Sequence, residues 1–270
     1  MRRNSILFWG LIMVLFGVLL LLQNLGILTL NVWNVFWPVL LILLGLWTLW
    51  GVFAPRRAPE SEQVAIPLEG ASRARVRIRH GAGQLILKGG AGSGELVNGT
   101  FGGGLDYRAQ REGDELNVKM RVPRRDDFFF APWMWGWGSR GLLDWSFSLN
   151  NSVPLALDLK TGASDMQVDL TDLRVTDLRV ETGASSLRLT LPAQAGFTRA
   201  AMDGGATSIK VLVPPGVAAR IVASGGAASI GVDQSRFPRV GAAYQSPDYE
   251  TAPNRVEMDI HVGAGSVDVR

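Results

Sequence analysis

The 270-residue chain has no cysteine and only two histidines, His80 and His261. The first absence excludes disulfides, thiolate metal sites and a cysteine nucleophile. The histidines each lie beside a Gly corner, in HGAG and HVGAG. They read as exposed strand ends rather than metal ligands. No HExxH, P-loop or nucleophile-elbow pattern is present. GGAGSG (Gly89–Gly94) and FGGGLD (Phe101–Asp106) lack the lysine and the strand-to-helix setting of a phosphate cradle, so they read as turns. The expectation is a non-enzymatic protein with no catalytic, cofactor or metal site.

Acidic residues are missing from the first 59 positions, where four of the 27 basic residues are the only charges. The remaining 211 residues hold the other 23 basic residues and all 24 acidic ones, a net of −1. The basic pI therefore belongs to the N-terminus. The rest of the chain makes no overall electrostatic case for nucleic acid.

What fills the acid-free region is apolar. Ile6–Leu22 and Val35–Phe53 are uncharged runs of 17 and 19 residues. As helices they reach about 26 to 29 Å, close to a hydrocarbon core of about 30 Å. Arg2 and Arg3 precede the first run, Arg56 and Arg57 follow the second, and the connector Gln23–Asn34 has no Lys or Arg. The positive-inside rule then puts both ends in the cytoplasm and the connector outside. Pro38 suits the first turn of the second helix. The alternative, a cleaved signal peptide over Met1–Leu22, meets a poor cleavage site at Gln23–Asn24–Leu25. The expected organisation is a transmembrane helical hairpin over residues 1–53, an extended linker over 54–63 and a β-strand repeat domain over 64–270.

Repetition defines that domain. TGASDMQVDL, TGASSLRLTL, GGATSIKVLV, GGAASIGV and VGAGSVDV share a small-residue pair followed by alternating apolar positions. The glycines Gly162, Gly183, Gly205 and Gly226 recur at intervals of 21, 22 and 21. Gly263 follows after 37, which leaves room for a loop around Arg236–Ala252. HGAGQLILKG from His80 is an early copy. Period-two alternation sends Met166, Val168 and Leu170 inward and Gln167 and Asp169 outward, and likewise in later copies. Fixed periods of this kind mark solenoids. The five glycines are expected to form corners with positive φ, each followed by an Ala stacked inside. An antiparallel sandwich is the alternative fold.

Residues 126–150 (DDFFFAPWMWGWGSRGLLDWSFSLN) interrupt the alternation with aromatic residues. They either cap an open end of the stack or touch a membrane or partner through Phe129, Trp133, Trp135, Trp137 and Trp145. Asp158, Asp165, Asp169, Asp172 and Asp177 gather in the first regular repeat. Paired carboxylates on a β-helix can hydrolyse glycosides or hold a divalent cation. A charged solvent face that discourages edge pairing is the favoured reading.

The segments GLIMVLFGVLLLLQNLGIL and WPVLLILLGLWTLW, with Asn24–Gly26 in the connector and Trp37–Pro38 opening the second run, resemble the bacterial LiaI/LiaF-type transmembrane region. The Gly-Ala repeats are similar to the toastrack β-domains of LiaF C-terminal regions and adhesin-like proteins. The resemblance implies a membrane-embedded regulator of cell-envelope stress signalling that associates with a sensor histidine kinase, and it carries no catalytic residues. The expected fold class is a membrane-anchored all-β protein, a two-helix hairpin followed by a β-solenoid-like toastrack domain. Its expected partners are the bilayer, a sensor kinase or other envelope-stress protein, and further copies of itself. A self-assembling scaffold and an adhesin-like surface module are the alternative functions.

Overall fold

The computed structural model describes Trp37, Pro38, Leu41, Ile42, Gly45 and residues 61–123 and 143–270. The chain divides into two compact units, Met1–Arg57 and Ala58–Arg270. In the first unit the five described residues are helical. Among the described residues no helix is long and apolar enough to cross a membrane. The rest of both apolar runs, and with it the expected hairpin, lies outside the described residues.

In the second unit the strands are β1 (Ser61–Pro67), β2 (Arg73–Gly89), β3 (Glu95–Gly102), β4 (Asp106–Glu112), β5 (Glu115–Arg121) and β6 (Trp145–Leu149). They continue as β7 (Pro154–Asp169), β8 (Arg174–Thr190), β9 (Phe197–Leu212), β10 (Ala218–Val232), β11 (Arg239–Val240), β12 (Ala243–Gln245) and β13 (Arg255–Val269). Six long strands form a parallel stack in the order β2-β7-β8-β9-β13-β10. The stack fits the solenoid reading. Antiparallel pairing is confined to its flanks, in β1 with β3, β3 with β6, β4 with β5, and β12 with β10 and β11.

Each long strand bends where the small-residue pair stands. In β7, Thr161 is buried, Gly162 and Ala163 are both exposed, and Ser164 is buried again. Two consecutive outward residues shift the alternation by one place. Without that shift a bent strand would turn one half's apolar set to solvent. With it, Leu155, Leu157 and Leu159 before the bend and Met166 and Val168 after it enter one core. A second corner closes each coil, and Leu170, Leu191 and Val213 are fully buried there. Leu170 N–H donates to Thr190 O at 3.0 Å and Leu191 N–H to Leu212 O at 3.0 Å, so this corner also stacks.

The corner glycines are required for a reason other than the one expected. Gly162, Gly183, Gly205, Gly226 and Gly263 are absent from the positive-φ residues of the domain. What they share is a neighbour. A Cβ on Gly162 would lie 2.6 Å from Gly81 O, and one on Gly183 would lie 2.7 Å from Gly162 O. The same holds for Gly205 against Gly183 O at 2.7 Å, Gly263 against Gly205 O at 2.8 Å and Gly226 against Gly263 O at 3.1 Å. The six glycines form a ladder in which each carbonyl occupies the space a side chain would need. The adjoining alanines Ala163, Ala184 and Ala206 face outward rather than into the corner.

The spatial order of the ladder differs from the sequence order. β13 inserts between β9 and β10, pairing with both over its full length, so Gly263 stacks between Gly205 and Gly226. The segment around Arg236–Ala252 makes this possible. It carries β11 and β12, seats β12 against Arg220 and Ile221 of β10, and buries Phe237 and Tyr249. At the opposite end, β2 is continued by two different strands. β5 pairs with its first half and β6 with its second.

Adding a methyl group at a filled rung should overpack the corner. Gly183→Ala is expected to lose about 1–3 kcal/mol of unfolding free energy by urea denaturation. Gly81→Ala, where nothing lies within 4 Å of the added carbon, should change stability by less than about 0.5 kcal/mol.

Candidate functional site

The outer face of the strand halves before the first corner carries most of the ordered charge. Residues alternating with the core set stand in columns across the stack. Asp158 is opposite Arg179, Lys160 opposite Glu181, Asp177 opposite Arg199, and Glu257 between Arg199 and Arg220. Lys160 Nζ lies 2.7 Å from Glu181 and Arg179 Nε 2.9 Å from it. The ammonium of Lys160, hydrogen-bonded to Glu181, holds that carboxyl below its ordinary range. Exposed pairs of this kind contribute only about 0–1 kcal/mol each. Their larger effect is to leave a face that is densely charged yet nearly neutral.

A trough of about 810 Å³ crosses this face at the corner, with the glycine ladder along its floor and Lys160, Glu181, Asp203 and His261 on its walls. At one end, Ser224 Oγ is 2.5 Å from His261 Nδ1, and His261 Nε2 is 3.2 Å from Asp259. The three side chains are those of a nucleophilic relay. Their setting is unsuited to one. The His261 and Asp259 side chains are 56% and 57% exposed, so water competes for every contact, and electrostatic catalysis needs an enclosed site. His261 is therefore a surface residue, as expected. Its link to Ser224 was not legible, because β13 reaches β10 only through the strand exchange, whereas Asp259 shares its face two residues earlier on the same strand.

His80 departs from expectation. It is 2% exposed, points into the corner and lies 5.1 Å from the Trp145 ring. Its Nε2 is 2.6 Å from Leu143 O, which can only accept, so the proton is assigned to Nε2. Among the described residues Nδ1 is buried without a partner. Burial pushes the His80 pKa below its ordinary value, against smaller opposing effects from Leu143 O and Asp144. Asp144 in turn accepts from Gln84 N–H at 2.9 Å, and Gly83 (φ +115°) leaves room for Leu143 O. The corner of β2 thus clamps the residues that lead into β6.

Trp145 is a core residue and not a contact residue. It is 1% exposed, donates Nε1–H to Gly102 O at 3.2 Å and packs edge-on to Phe101 at 5.1 Å. The last part of the aromatic segment is strand β6, whose inward positions demand large apolar side chains. Phe129, Trp133, Trp135 and Trp137 lie outside the described residues.

The five aspartates are dispersed. Asp158 and Asp177 stand in the outer columns before the corner, whereas Asp165 and Asp169 follow it and Asp172 is in a turn. Asp169 accepts from Thr171 N–H at 3.1 Å and Thr171 Oγ1 at 2.6 Å. Asp233 does the same for Ser235 at 3.0 and 2.6 Å, and these bonds lower its pKa. Such residues close strand ends with side-chain turns. Among the described residues no group of three or more His, Asp or Glu is placed to hold a metal ion.

The fold and face define a non-globular stack of β-coils whose usable feature is surface rather than cavity. Residues 55–212 match the family described as the N-terminal domain of toast_rack, DUF2154, and the chain belongs to that family. Residues 7–49 match the LiaI-LiaF-like transmembrane region, which gives the protein a membrane location. A crystal structure from Clostridium sporogenes ATCC 15579, provisionally described as a cell adhesion protein, shares the fold with a TM-score of 0.67 at 19% identity. The match covers 78% of this chain and 98% of that one. No protein of curated function matches the chain.

Because neutral His80 is favoured in the fold, its contribution to stability is complete above its unfolded value of 6.5 and is lost as pH falls through the lowered folded value. Urea midpoints measured from about pH 7.5 to about pH 5 should fall more steeply for the wild type than for His80→Gln.

Proposed function

We propose that this chain is a non-enzymatic, membrane-anchored regulator in cell-envelope stress signalling that works through protein–protein contacts. The observation that carries the reading is the joining of a LiaI-LiaF-like transmembrane region to a toast-rack domain in one chain. The open outer face with its mostly alternating charges supports it, since such a face suits reversible contact better than enclosure of a small substrate. In this reading the N-terminal region forms a two-span hairpin, the β-domain is cytoplasmic, and the partner is a sensor histidine kinase or another envelope-stress protein. The positive-inside distribution of Arg2, Arg3, Arg56 and Arg57 supports the orientation.

An adhesin-like surface module is the second reading, supported by the fold shared with the Clostridium sporogenes protein. It requires the β-domain to face outward. A reporter fused after Arg270 separates the two, with cytoplasmic activity expected and external activity contradicting the regulator. Deleting the protein should raise an envelope-stress reporter severalfold in unstressed cells. The full chain should reverse this rise, and residues 58–270 alone should not. An unchanged reporter would refute the regulatory role.

A further inference from the structure

The outer face gathers cations against cations at one place. Over β7, β8, β9, β13 and β10, the charges that face each other before the corner are mostly opposite, with Glu181 across from Asp203 the exception. Over β4, β5 and β2, several facing pairs are both cationic. Arg108 is opposite Lys119, Arg77 opposite Lys119, and Arg79 lies between Arg121 and Lys160. Like charges directly across a sheet repel, and nothing in the fold demands them here. Arg121 is neutralised by Asp106 at 2.6 Å, and Glu115 takes Arg75 at 2.8 Å and Arg73 at 3.8 Å. Among the described residues, Arg77, Arg79, Arg108 and Lys119 form no ion pair, although Asp158 stands across from Arg77. Arg79, Arg108 and Lys119 are exposed and Arg77 half-buried.

This patch lies beside the point where the β-domain is tethered. β1 begins at Ser61, and Glu62 accepts from Leu105 N–H at 3.1 Å, one residue before Asp106 opens β4. Asp106 is opposite Arg121, and Arg121 opposite Arg79. The stretch from residue 49, where the transmembrane match ends, to Ser61 spans at most about 40 Å when fully extended. That stretch adds Arg56 and Arg57. We propose that the outer face of β4, β5 and β2, through Arg77, Arg79, Arg108 and Lys119, docks on the anionic headgroups of the membrane that anchors the chain. Cations without ion pairs on adjacent strands meet the phosphates of a lipid surface without a pocket. The tether makes the bilayer the nearest extended anion. The inference rests on the membrane location of residues 7–49 and not on the regulatory role.

Residues 58–270 have a core of their own, and the solved chain that shares the fold consists almost wholly of it, so this unit can be tested alone. It should co-sediment with vesicles of phosphatidylcholine mixed with phosphatidylglycerol, not with phosphatidylcholine alone, and be released by raised salt. Arg77→Gln/Arg79→Gln/Lys119→Gln should weaken vesicle partitioning about 100-fold. Arg174→Gln/Arg199→Gln/Arg220→Gln removes the same charge from the alternating region and should leave partitioning unchanged. Circular dichroism checks that both variants fold. Equal loss in the two variants, equal binding to uncharged vesicles, or tighter binding of duplex DNA through the same three residues would overturn the assignment.

Discussion

Close approach of backbone to backbone at the first corner governs this structure. Each carbonyl along the ladder from Gly81 to Gly263 stands 2.6 to 3.1 Å from where a Cβ on the next glycine in the stack would lie. Only a residue without Cβ lets adjacent coils bend at the same height. When they do, every other position falls into register. Leu157 aligns with Leu178 and Ala200 on the inside, and Asp158 with Arg179 and Ala201 on the outside. Core packing and surface charge are both consequences of that alignment.

The corner also sets the polarity of the interior beside it. The bend brings Thr161 Oγ1 within 3.3 Å of Thr182 Oγ1, and Thr182 bonds to Ser185. Thr207 Oγ1 donates to Gly183 O at 3.4 Å. Small hydroxyls fill a space too narrow for leucine and satisfy groups that the bend leaves without ladder partners. His80 occupies the same row at the end of the stack. There the inward space opens and an imidazole replaces the hydroxyl. The two ends of the stack therefore differ. One is clamped through His80, Leu143 and Trp145, and the other ends in β10, which has a second neighbour only at Arg220 and Ile221.

Local pattern in the sequence foretold local structure. Alternation of Met166/Val168 with Gln167/Asp169 was sufficient to choose the buried face, and the spacing of 21 to 22 residues located the corners of β7, β8, β9 and β10. Three features were out of reach for distinct physical reasons. The glycines were expected to provide positive φ, but their role depends on a carbonyl from another coil, which one repeat alone does not display. His80 reads as a strand end until Leu143, 63 residues away, supplies its acceptor. Trp145 read either as part of a cap on the stack or as a contact residue, because its strand follows a segment without alternation, and only the pairing of β6 with β2 decides for the core. Most of all, repetition in sequence implies stacking in sequence order. Only the 37-residue gap before Gly263 hinted that the last strand crosses over its predecessor. The basic patch was hidden by the near-neutral total, since its cations come from three strands that pair only in the fold.

The strand exchange that completes the glycine ladder can be read directly, because the chain offers a background free of cysteine. Ser208 and Ser266 face each other with their hydroxyls 3.0 Å apart, and Ser229 lies beyond Ser266 in the stack. Under mild oxidation, Ser208→Cys/Ser266→Cys should form an intramolecular disulfide. Ser208→Cys/Ser229→Cys should not, because two strand spacings of about 4.8 Å separate those positions. Cross-linking of the second pair and not the first would mean that the coils stack in sequence order, and would contradict both the exchange and the ladder built on it.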